Sequence, residues 1–182
     1  MSSHDEMPEE ELWERSQSED LVDRADSLME LANRARSRDE YQVARNIYGS
    51  AFDLFVELGK ETDAGIANYS FGYCQYRLLE YEEAIESLTA SLKRGQEFND
   101  SRTIAYSAGP LGDSYSALGR RDEAIAAYEL AVDTFVEIED HFQAGTNCLS
   151  LGELHGIEAR QTKALECFIR AFNIFQSGGD AY

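Results

Sequence analysis

A chain of 182 residues with 43% apolar composition suits one domain that buries most of its apolar surface. Thirty-five acidic residues against 16 basic ones set a formal charge of -19, which repels phosphate backbones and anionic lipid and so excludes nucleic acid and membrane as partners. The acidity either serves solubility alone or favours a partner with a basic surface.

In chain order, residues 1–18 come first, acidic and polar around Leu12 and Trp13. This composition predicts a flexible N-terminal tail, with docking of Leu12 and Trp13 on the first repeat as the alternative. Eight helices follow, near 19–37, 40–58, 63–78, 81–98, 101–118, 121–138, 141–157 and 161–177, in a stretch rich in Ala, Leu, Glu and Arg. Polar junctions separate them. Gly119 can take the left-handed conformation that ends a helix, and Asp and Ser at Asp63, Asp100, Ser101 and Asp140 can cap the next. Pro8 and Pro110 are the two prolines, and Pro110 falls inside a helix, where it removes the hydrogen bond to the Tyr106 carbonyl. Either a groove-widening kink or a tolerated bend without a role follows.

A period of 40 organises these helices. Ala44, Ala84, Ala124 and Ala164 recur at that spacing, followed four residues later by Tyr48, Leu88, Tyr128 and Phe168. Before them stand large-small pairs: Leu31-Ala32, Phe71-Gly72, Leu111-Gly112 and Leu151-Gly152. Small residues allow two antiparallel helices, A and B, to approach, and large ones fill the space between. The third copy, Leu111-Gly112-x2-Tyr115 and then Ala124-x3-Tyr128-x2-Ala131, resembles the tetratricopeptide repeats in their long variety. That resemblance implies an all-α, right-handed superhelical stack of four antiparallel helix pairs. The repeats fall near 25–62, 63–100, 101–140 and 141–178 within a domain of 19–178, with a C-terminal tail at 179–182.

The resemblance further implies that the A helices line a concave groove that binds a peptide or partner protein. Transferred to this chain, the groove positions include Met29, Asn33 and Arg36, then Tyr69, Tyr73, Tyr76 and Arg77, then Tyr106 and Asp113, and finally Leu149 and Glu153. The tyrosine stripe offers contact area at low entropy cost, with hydroxyls for a ligand backbone; packing against the third repeat is the alternative. Lysines of the carboxylate-clamp relatives are replaced here by Met29 and Tyr69. Glu30, Ser70, Pro110 and Ser150 stand where an asparagine ladder would be.

Phe168, Phe172 and Phe175 on the last helix form a candidate end-to-end interface for a homo-oligomer or another partner, since no capping helix follows them. The alternative is that Arg170, Asn173 and Gln176 solvate this end. The cysteines Cys74, Cys148 and Cys167 lack C-x-x-C spacing and are expected as buried free thiols. His4, His141 and His155 are scattered, no phosphate loop is present, and no nucleophile has a base beside it in the pattern. The expectation is therefore a non-catalytic adaptor with no metal or cofactor. A small sensor or chaperone that masks its partner, as a dimer, and a non-catalytic subunit of a larger complex are the alternatives. With no leader and no apolar run near the ~18 residues of a membrane span, a cytoplasmic location is expected.

Overall fold

The computed structural model describes residues 7–179, so His4 and the end of the predicted C-terminal tail lie outside the described residues. Within them the chain is helical throughout: α1 (Glu9–Arg15), α2 (Leu21–Ser37), α3 (Tyr41–Glu57), α4 (Glu61–Arg77), α5 (Tyr81–Phe98), α6 (Ser101–Ala117), α7 (Arg121–Glu137), α8 (His141–Ile157) and α9 (Gln161–Gly179). Consecutive helices pack as antiparallel pairs, and α4 also touches α6, so the A helices (α2, α4, α6, α8) lie side by side in one layer. The expected all-α stack of four helix pairs is what the chain forms.

Turns set the period. Left-handed residues stand at Asp39, Gly59, Leu79, Asn99, Gly119, Glu139 and Ala159, one at every junction between α2 and α9. Asp39 and Asn99 are of types that tolerate the conformation, whereas Leu79, Glu139 and Ala159 carry side chains that disfavour it, at a cost of roughly 1–2 kcal/mol each. Packing of the flanking helices outweighs that cost. The Gly119 expectation is met, and Asp100 and Asp140 accept backbone N–H groups at the starts of α6 and α8. Pro110 lies inside an unbroken α6.

The period reflects close contact between helices. A Cβ on Gly72 would lie 2.8 Å from Leu88, one on Gly112 2.7 Å from Tyr128, and one on Gly152 2.6 Å from Phe168. Ala44, Ala84, Ala124 and Ala164 are buried on the facing B helices. Two repeats add a polar latch. The Tyr48 hydroxyl donates to Asn33 Oδ1 at 2.7 Å, and the Tyr128 hydroxyl donates to Asp113 Oδ1 at 2.6 Å. In the other two repeats the B residue is Leu88 or Phe168, which needs no acceptor, and helix A presents Tyr73 or Glu153 instead.

Where the sequence suggested a tail through residue 18, residues 9–15 form α1, packed on α2. Leu12 is buried and Trp13 half-exposed; Arg38 pairs with Glu9 at 2.8 Å, and Arg15 Nε donates to Asp23 at 2.7 Å. Leu12 precedes Phe52, Leu92 and Val132 by whole repeats. Those three residues sit on B helices and pack against the following A helix, so α1 stands where a preceding B helix would.

Candidate functional site

A cleft of about 240 Å³ opens between the A helices of the second, third and fourth repeats. Tyr69 and Tyr73 from α4, Tyr106, Gly109, Pro110 and Asp113 from α6, and Gln143, Thr146, Asn147 and Ser150 from α8 line it, together with Arg36 and the buried Phe135. Tyr69 stacks on Tyr106 with ring centroids 5.6 Å apart, and Tyr106 meets Phe135 edge-on at 5.0 Å. Such pairs hold the rings rigid. The Tyr106 hydroxyl donates to Asp140 Oδ2 at 2.8 Å, while Asp140 also accepts the Gln143 N–H at the start of α8. Burial first, and then the Asp140 carboxylate, push the Tyr106 hydroxyl up to about 12, so it stays a donor.

Asp113 faces the cleft with one oxygen on the Tyr128 hydroxyl. Burial raises its pKa above the usual carboxylate range, against the opposing effect of the Tyr128 and Tyr76 hydroxyls. The site therefore joins an aromatic wall to a partly desolvated carboxylate. Opposite them, Gln143 supplies an amide and Thr146 and Ser150 hydroxyls, while the buried Asn147 donates its side-chain N–H to the Gln143 carbonyl at 2.9 Å. A Cβ on Gly109 would come within 2.8 Å of Asn147 Oδ1, so the glycine is what admits Asn147 at this spot.

Of the residues transferred from the resemblance, Arg36, Tyr69, Tyr73, Tyr106 and Asp113 come together in this cleft. Met29 and Asn33 instead line a separate hollow with Phe55 and Ile66, and Asn33 is occupied by Tyr48. Tyr76 packs on the core of the second and third repeats. Arg77 lies outside the lining, 4.3 Å from the Tyr41 ring centroid, and donates to the Tyr73 hydroxyl at 2.9 Å. Leu149 and Glu153 are exposed outside the lining. They hold the places that Gly109 and Asp113 hold toward α8, but no further A helix faces them among the described residues. Phe168 and Phe172 are exposed as expected for the last helix, whereas Phe175 is half-buried against Gly145 and Phe142.

The α8 amides and the role of Gly109 escaped the sequence reading. Thr146 and Ser150 stand where Tyr106 and Pro110 do one repeat earlier, but Gln143 and Asn147 have no lining counterpart on α6, so position along the repeat does not single them out. Cys74 and Cys148 are buried thiols, raised to about 12 and about 11 by burial, and Cys167 is only half-buried. No cluster of three metal-ligating side chains occurs among the described residues, and no described helix is long and apolar enough to cross a membrane.

Residues 111–134 match the tetratricopeptide repeat family. No curated protein matches the sequence. Among solved structures, BtubC (BKLC) from P. vanneervenii is similar with a TM-score of 0.77 at 18% identity, over 95% of this chain and 72% of that one. A Rap protein complexed with competence and sporulation factor gives 0.81 at 19% identity, over 94% of this chain but only 48% of its own length. MamA from Desulfovibrio magneticus RS-1 gives 0.71 at 18%, over 93% and 84%. The shared feature is the fold, a tetratricopeptide-type stack.

Proposed function

Starting from a tetratricopeptide-type stack with a tyrosine-walled cleft, we propose that the protein is an adaptor that holds an extended segment of another protein between α4, α6 and α8. The carrying observation is the pairing in one cleft of rigid tyrosines with the amide of Gln143 and the hydroxyls of Thr146 and Ser150. Flat rings accept side chains of varied shape, and amides bond both the N–H and the C=O of a peptide backbone. Asp113 at the cleft and a chain charge of -19 favour a basic segment. The Rap structure complexed with competence and sporulation factor supports the use of such a stack for holding a partner.

Selection from a displayed library of random peptides, followed by fluorescence anisotropy, tests this. The selected peptides should be enriched in Lys or Arg, and Tyr73→Ala with Gln143→Ala should weaken them by roughly tenfold or more while helicity is kept, each lost contact contributing about 1 kcal/mol. Equal binding to the folded double variant removes the cleft from the function.

A further inference from the structure

The B helices of the first three repeats are each sheathed by the A helix that follows. Phe52 packs on α4, Leu92 on α6 and Val132 on α8. On α9 the same position is Phe172, which is 60% exposed, and Leu165 and Ile169 beside it are 59% and 53% exposed. Leu165, Ile169 and Phe172 follow the i, i+4, i+7 spacing of a single helix face, with Phe168 at its edge packed on Gly152 of the same repeat, and that face carries no charge. Among the described residues no helix covers this face, and in the repeat geometry the cover is an amphipathic helix laid antiparallel to it.

We propose that a second copy of this chain supplies that helix, its own α9, in a two-fold dimer. Charge is the first reason. Two chains of -19 repel each other, and α9 is where the repulsion is least: it carries Lys163, Glu166 and Arg170, the last paired with Asp133 of α7 at 2.6 Å, whereas α7 carries five acidic residues against Arg121. The opposite end of the stack is the second reason. Continuing the solenoid head to tail would lay α9 on α2, and that place is taken by α1, with Leu12 buried and Glu9 paired to Arg38. What remains open to a second copy is an isologous contact, which closes at two chains instead of growing. An axis between Phe168 and Ile169 sets Leu165 of one copy against Phe172 of the other, so the stripe is complementary to itself. This inference does not depend on the cleft.

Sedimentation velocity of residues 1–182 across the micromolar range is the test. The expected mass is that of two chains of 20.5 kDa, and Ile169→Glu with Phe172→Glu should halve it without loss of helicity, both side chains being exposed in one copy. A wild-type chain that stays at 20.5 kDa throughout the range overturns the proposal. So does a double variant that keeps the doubled mass, or a mass that climbs past two chains with concentration, which is the signature of head-to-tail growth.

Discussion

Leu12 and Phe172 stand four repeat lengths apart at the same place in the helix-pair plan, and their surroundings are opposite. Leu12 is 4% exposed because α2 lies over it, and Phe172 is 60% exposed because no helix follows α9 among the described residues. Position in the repeat decides which way a side chain points. Whether it is buried depends on the next helix being there, and stability of a stack is accordingly a sum of neighbour contacts instead of one shared core.

The third repeat separates direction from cover most clearly. Val132 shares that position and is fully buried against α8 and Ala171. Val132→Glu should therefore cost on the order of 4 kcal/mol, since it buries a carboxylate with no partner. Phe172→Glu, measured at a dilution where the chain is monomeric, should change stability by less than about 0.5 kcal/mol. Denaturant titration followed by circular dichroism reads both. Equal losses at the two sites would mean that the following helix is not what sets the burial of this position.

A smaller effect belongs to the covered end. Leu12→Ala removes most of the apolar side chain that fastens α1, at about 1.5–3 kcal/mol for a fully buried leucine, and α1 contacts only one helix strongly. Detachment of α1 should precede unfolding of the rest. Trp13, the single tryptophan, reports it: its emission should shift to the red in Leu12→Ala while the main melting transition stays in place. An unshifted emission would mean that α1 is held by its ion pairs, Arg38 with Glu9 and Arg15 with Asp23.

Much of this architecture was legible in the sequence because small residues recur wherever two axes approach. Gly72, Gly112 and Gly152 each face a large side chain at contact distance, so the period of 40 is a direct imprint of packing. The helix starts and stops followed from it to within about two residues. What the period did not carry was the behaviour of its ends and edges. Leu12 continues the register of Phe52, Leu92 and Val132, and that signal was present but is masked by four surrounding glutamates. Asn147 joins the cleft through Gly109, a contact between repeats that no single repeat records. Leu79 and Ala159 adopt left-handed backbone without glycine, because the packed helices impose the turn.

The finest comparison sets the first repeat against the third through their polar latches. Asn33 and Asp113 occupy equivalent places and accept the hydroxyls of Tyr48 and Tyr128, yet only Asp113 carries a charge into a partly desolvated site. Burial holds its folded pKa above the unfolded value of about 3.9. The sign follows: the native state binds that proton more tightly, so its contribution is favourable at low pH and is lost as pH rises through the raised value. Asp113→Asn should keep the latch, as Asn33 does, and should be at least as stable as the parent at pH 7 while losing this part of the pH dependence. Asp113→Leu leaves the buried Tyr128 hydroxyl without its acceptor and should cost about 1–3 kcal/mol at every pH. Thermal melts between pH 4 and 7, in the range set by ordinary and raised carboxylates, separate the two variants. A parent whose stability relative to Asp113→Asn rises with pH would show that the Tyr76 and Tyr128 hydroxyls stabilise the carboxylate more than burial penalises it.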